Sequence, residues 1–141
     1  MDINLLKLDL KRDEGVKPRI YTDTVGKISG GVGRNLSDVP FSNDEMELML
    51  ANDIKRSVAD LDKFIPWWRN LNEVRQRVVI NLCFNMGIGN SKKGLLSFVN
   101  TLNFMMRGDY KAAAAGMRNS KWYGQVGLRG ERLAKQMETG V

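Results

Sequence analysis

The sequence predicts a mainly helical α+β fold in two lobes: a small antiparallel sheet lobe and a C-terminal helical lobe, joined by a long helix. Three observations carry that prediction. Between Pro18 and Leu36, the residues Ile20, Tyr21, Val25, Ile28 and Val32 are interspersed with polar residues and glycines, a pattern of short strands and tight turns. Ser42-Asn43-Asp44-Glu45 is a capping box that opens a run of apolar residues at helical spacing. From Asn72 onward the chain reads as successive helices punctuated by Gly, Asn and Asp.

Taken in order, Asp2 caps a first helix whose apolar positions are Ile3, Leu5, Leu6, Leu8 and Leu10, before Gly15 and Pro18 interrupt it. Glu14 falls just past that helix end. Asp23 and Ser29 belong to the sheet or its turns. The capping box starts a helix carrying Met46, Met49, Leu50, Ile54, Val58 and Leu61, which runs to about Lys63 and is stopped by Pro66. A helix of about 20 residues spans roughly 30 Å, long enough to connect two lobes with a cleft between them.

Asn72 caps the next helix, where Val74, Val78, Val79, Ile80, Leu82, Cys83, Phe84 and Met86 leave it apolar nearly all round until Gly87. Asn81 and Asn85 stand four apart on one face of it, so they either bind neighbouring backbone or line a cleft. A further helix is predicted from about Lys93 to Arg107, closed by Gly108. Asp109 caps another through Ala112 to Ala115, and Leu128 to Thr139 forms the last, with Arg129, Arg132 and Lys135 along it. Met105 and Met106 read as core.

Composition narrows the chemistry. The chain has 141 residues, which suits one catalytic domain, and it contains no histidine. A Ser-His-Asp hydrolase, a Cys-His enzyme and a zinc amidase with histidine ligands are thereby set aside, and neither metal nor cofactor is called for. Catalysis must run on carboxylates. Glu14, Asp23 and Ser29 supply two acids and a hydroxyl on one glycine-punctuated segment, which suits hydrolysis of a glycosidic bond: one acid protonates the leaving oxygen, and a carboxylate opposite activates water or steadies an oxocarbenium-like transition state. Taken singly, each acid also reads as an ordinary helix-end or turn residue. Twenty-two Lys and Arg against 16 Asp and Glu give a net charge of +6, favouring an anionic partner. The lone Cys83 excludes a disulfide within the chain. No apolar run approaches the roughly 18 residues of a membrane span, and the first ten residues lack a cleavage site, so export or stable membrane insertion is not expected.

Asp13-Glu14-Gly15, the Tyr21 to Gly26 turn, Gly31-Val32-Gly33, the Asn81 to Gly87 run, Phe98 to Thr101, and Ser120-Lys121-Trp122-Tyr123 with Arg129 together resemble the phage-type lysozymes, glycoside hydrolase family 24. Their ordered spacing covers nearly the whole chain, with a shortened segment between Gly33 and Asp44. The resemblance implies an endolysin that cuts the β-1,4 bond between N-acetylmuramic acid and N-acetylglucosamine of peptidoglycan, with inversion. Glu14 would be its general acid, and Asp23 and Ser29 would complete the triad. It implies substrate contacts at Asn35, Phe84, Asn85, Thr101 and Gly116. Supporting roles fall to Arg129 beside Glu14, Arg132 beside Asp13, and Asn81. The implied lobes are the sheet lobe at about 13–45, the linking helix at about 42–63, and the helical lobe at about 64–141 with residues 1–12 packed back on it. Ser29 stands where threonine is common, Gly30 where an apolar residue often follows, and Arg34 where some members have histidine.

The family also implies a monomer made in the host cytoplasm that reaches the wall through a holin. Three rival readings compete with it. A cationic protein on the same fold could bind walls or disrupt membranes without catalysis. Charge and Trp67, Trp68 and Trp122 alone suggest a nucleic-acid binder, with no recognised motif to support it and none expected. A lytic transglycosylase would use the acid without water, against which Asp23 and Ser29 argue.

Overall fold

The computed structural model describes residues 1–141. The elements are α1 (Ile3–Glu14), β1 (Lys17–Thr22), β2 (Ile28–Gly31), β3 (Arg34–Asn35), α2 (Asn43–Phe64), α3 (Glu73–Met86), α4 (Val99–Arg107), α5 (Tyr110–Arg118), α6 (Lys121–Val126) and α7 (Leu128–Thr139), with short 3-10 helices at Pro66–Asn70 and Leu95–Ser97. This is the mainly helical α+β class expected. The chain divides into two compact units, Met1–Leu48 and Met49–Val141. The division falls inside α2, and α1 belongs to the sheet-bearing unit, whereas the resemblance groups it with the helical lobe. Only Gly15 and Val16 separate α1 from β1.

In the first unit, Asp2 Oδ1 accepts from the N–H groups of Asn4 at 2.9 Å and Leu5 at 3.1 Å, satisfying donors that a helix start leaves free. Gly15, at φ +81°, ends the helix. The three strands form an antiparallel sheet in the order β1-β2-β3, with Tyr21 opposite Ser29 and Ser29 opposite Asn35. Ser29 therefore sits on the central strand. The β1–β2 register slips between Lys17 and Tyr21, where Pro18 cannot donate to the ladder.

The capping box forms as predicted: Ser42 N–H donates to Glu45 Oε1 at 2.8 Å, and Glu45 N–H donates to Ser42 Oγ at 3.2 Å. The Arg34 guanidinium pairs with the same carboxylate. That pairing, with the Ser42 N–H, lowers the Glu45 pKa from 4.5 to about 2. A carboxyl whose folded pKa is depressed stabilises the fold above the unfolded value and loses that contribution as pH falls. Acidification from about 4.5 to about 2 is therefore expected to lower the melting temperature more steeply in the parent than in Glu45→Gln, as read by circular dichroism across that range.

In the second unit the core gathers on α3, whose Val78, Val79 and Leu82 are completely buried. Asn72 Oδ1 caps it by accepting from Arg75 N–H at 3.0 Å, and Gly87 ends it. Its outer side is open to solvent: Phe84 and Asn85 are exposed. Helices α5 and α7 pack on each other, with Ala113 and Ala114 buried on one and Ala134 on the other, while Gly130 of α7 lies against Tyr123 and Val126 of α6. Arg75 donates to the carbonyls of Met137 at 2.7 Å and Glu138 at 3.0 Å, satisfying the end of α7, and its guanidinium lies 3.5 Å over the Tyr110 ring. Arg118 binds Glu131 and Glu138, and with the Tyr123 hydroxyl it holds the Glu131 carboxyl below its ordinary range.

Two expectations are corrected by the structure, and one element was not expected. The helix predicted from Lys93 begins only at Val99. Leu95 and Leu96 give their N–H groups to the carbonyls of Gly87 and Ile88, both at 2.9 Å, and Gly94 packs so closely on Gly89 that no helix can pass there. Met106 is 52% exposed, while Met105 is buried. Helix α6 was not foreseen, because its six residues are too few for a periodic pattern, although Ser120 Oγ caps it by accepting from Tyr123 N–H at 3.2 Å.

Candidate active site

Glu14, Asp23 and Ser29 all belong to the sheet-bearing unit. Glu14 is the last residue of α1 and is exposed. Within its unit it has no ion-pair partner. Asp23 follows β1 directly, in the loop to β2. Its Oδ1 accepts from Val25 N–H at 3.0 Å and Lys27 N–H at 2.8 Å, while its own N–H donates to Lys27 O at 2.8 Å. Gly26, at φ +84°, supplies the left-handed residue the loop needs. One carboxylate oxygen is thus fixed by the backbone and Oδ2 is left free. The Ser29 residue is 4% exposed, and no hydrogen bond engages its hydroxyl within its unit.

Asn35 is less available than the resemblance implies. Its Oδ1 accepts from the N–H groups of Ser37 at 3.0 Å and Asp38 at 3.2 Å, and its Nδ2 donates to Asp38 Oδ2 at 2.8 Å. One amide hydrogen remains for a ligand. Asp38 in turn holds Lys27 Nζ at 3.2 Å, so Lys27 and Asp38 link this turn to the loop that fixes Asp23. Sequence reasoning missed both, although an Asx-rich stretch beside a hairpin is the signal that could have found them. Asp13 accepts from the guanidinium of its neighbour Arg12 at 2.9 and 3.3 Å.

The remaining residues lie in the helical unit. Asn81 Oδ1 accepts from Arg129 Nε at 3.2 Å and Nη2 at 2.6 Å, so the partner that the structure gives Arg129 is an amide oxygen. Asn81, Phe84 and Arg129 share a hollow of about 430 Å³ with Leu50, Ile54, Arg77 and Ile80. Asn85 Oδ1 accepts from Trp122 Nε1 at 2.9 Å. Both asparagines on α3 therefore have side-chain partners rather than backbone ones, and Asn81 lines the hollow as well. Thr101 and Gly116 are brought together: a Cβ on Gly116 would collide with Thr101 Oγ1. Thr101 also lines a hollow of about 310 Å³ with Ser97, Phe98, Asn100 and Ser120. Arg132 is exposed on α7. No cluster of three His, Cys, Asp or Glu side chains is placed to hold a metal ion.

Trp122→Phe removes the donor from Asn85 and leaves a gap in the core. It is expected to lower stability by about 1–3 kcal/mol, measured by thermal denaturation. An unchanged melting temperature would show that the bond contributes nothing.

Comparison with known proteins converges on one family. The family model described as phage lysozyme matches residues 11–137. The pre-baseplate central spike protein Gp5 of Enterobacteria phage T4 is 28% identical over 93% of this chain, which spans only 27% of the length of that protein. Probable T4-type lysozymes 1 and 2 of Dictyostelium discoideum are 25% and 24% identical over 99% of this chain and 96% of their own. With the family model spanning both units, from α1 through α7, the chain belongs to the phage lysozyme family of glycoside hydrolases.

Proposed function

We propose that this protein is a muramidase of the endolysin type, hydrolysing the β-1,4 bond between N-acetylmuramic acid and N-acetylglucosamine of peptidoglycan with inversion. Glu14 gives its proton to the leaving sugar oxygen. Asp23, ionised, stabilises positive charge at the anomeric carbon and, with the Ser29 hydroxyl, orients water on the opposite face of the sugar. The observation that carries this reading is the Asp23 carboxylate, with one oxygen pinned by two backbone N–H groups and the other free, on the same hairpin as an unengaged hydroxyl. A fixed acceptor and a hydroxyl on one hairpin suit holding a water for attack. The positive net charge favours approach to the anionic wall. Thr101, Gly116, Phe84 and Asn85 are assigned to substrate contact. Asn81 with Arg129 braces α3 against α7, and Arg132 and Asp13 are assigned supporting roles.

Release of the enzyme from the host cytoplasm to the wall is assigned to a holin, with the enzyme acting as a monomer. Similarity to a spike protein favours a second reading, in which the same hydrolase serves the virion rather than lysis. Assay of purified virions for the protein separates the two, because a hydrolase that serves the virion is carried in the particle and an endolysin is not.

The chemistry is tested by digesting purified peptidoglycan and identifying the products by mass and NMR. New reducing N-acetylmuramic acid ends of inverted configuration are expected. Anhydro products would replace hydrolysis by transglycosylation, sole retention would overturn the inverting assignment, and cell killing without any new ends would move the protein to the membrane-active class.

A further inference from the structure

We propose that Gly33 is a positioning residue for the Glu14 carboxyl, holding the proton donor by presenting bare backbone where any side chain would displace it. This rests on the reading of Glu14 as the general acid.

Gly33 lies in the two-residue turn between β2 and β3 and has φ +64°. A Cβ placed there would stand 2.8 Å from Glu14 Oε2, 3.1 Å from its Cδ and 3.0 Å from its Cβ. Real Cβ atoms essentially never approach that closely to a carboxylate oxygen. The close contacts run from one end of the acid side chain to the other, so rotating only the carboxyl tip would not relieve them. Glu14 Cβ is itself carried by the last turn of α1, and the carboxyl is the part free to move.

The strand leading into the turn contains a control. Gly31, the last residue of β2, also has φ +64°, but a Cβ there meets nothing within 4 Å. Gly31 therefore answers to backbone conformation alone, whereas Gly33 answers to backbone conformation and to contact with the acid. An acid at an exposed helix end, with no ion pair in its unit to orient it, has several rotamers open to it. The Gly33 backbone removes some of them. General acid catalysis requires the proton within hydrogen-bond reach of the leaving oxygen, so a displaced carboxyl slows the chemical step without loosening sugar binding.

The test compares Gly33→Ala with Gly31→Ala on peptidoglycan fragments, reading kcat and KM separately, with Glu14→Gln alongside. Gly33→Ala is expected to lose about 10²-fold in kcat with KM near the parent's. Gly31→Ala, sharing the backbone strain, is expected to keep most of its kcat. Equal losses in the two variants would assign the effect to strain and overturn the proposal, as would a Gly33→Ala enzyme with parental kcat while Glu14→Gln is inactive. A Glu14→Gln enzyme of parental rate would instead remove the underlying reading of Glu14. Melting temperatures supply the second measurement, which also covers a Gly33→Ala protein too unstable to assay. Its drop should exceed that of Gly31→Ala and shrink toward it when Glu14→Ala is added. A double variant as destabilised as Gly33→Ala alone would overturn the contact.

Discussion

Glu14→Gln is expected to lower the rate of peptidoglycan hydrolysis by about 10²–10⁴-fold, the range that a positioned general acid contributes. The amide keeps the shape of the carboxyl and lacks its acidic proton, so the leaving sugar must depart as an alkoxide or take its proton from water. Folding should be unaffected, because Glu14 is exposed and no ion pair within its unit depends on it. Reducing-end release and melting temperature measured on the same preparation separate the two effects. A variant that keeps more than about a tenth of the parental rate has lost too little for a general acid.

Leu82→Ala is expected to cost about 2–5 kcal/mol, a large share of the roughly 5–15 kcal/mol that holds a domain folded. Leu82 is completely buried at the centre of α3, between Val78, Val79 and Cys83, and its removal opens a cavity that rigid helices cannot fully close. Phe84 stands two residues away on the same helix and is 42% exposed. Phe84→Ala should therefore cost much less in stability and act on substrate contact instead. Urea denaturation of the two variants reads the difference as a shift in midpoint, and equal shifts would place the packing centre away from Leu82.

Much of the architecture was legible because its signals are local. Asp2, Asn72 and Asp109 cap the helices they were expected to cap, Ser42 and Glu45 close the predicted box, and α7 runs over the predicted Leu128–Thr139. Each depends on residues within a turn of one another. The start of α4 was misplaced because its position depends on Gly94 meeting Gly89 and on the carbonyls of Gly87 and Ile88, contacts that propensity does not register. At the candidate site, Glu14, Asp23 and Ser29 were named from residue type, order and resemblance. The hairpin that pins Asp23 Oδ1, and the turn that engages most of Asn35, emerged only from the folded backbone.

By itself, then, the sequence determined the helix and strand types, the family and the exclusion of imidazole chemistry, since these follow from composition and from patterns a few residues long. Only the tertiary structure decided where the capacity of polar side chains goes: Asn85 to Trp122, 37 residues away, Asn81 to Arg129, 48 residues away, and Gly116 against Thr101. The physical reason is that a hydrogen bond or a steric collision between distant residues depends on how helices dock, and docking is set by the summed packing of the core rather than by either residue alone.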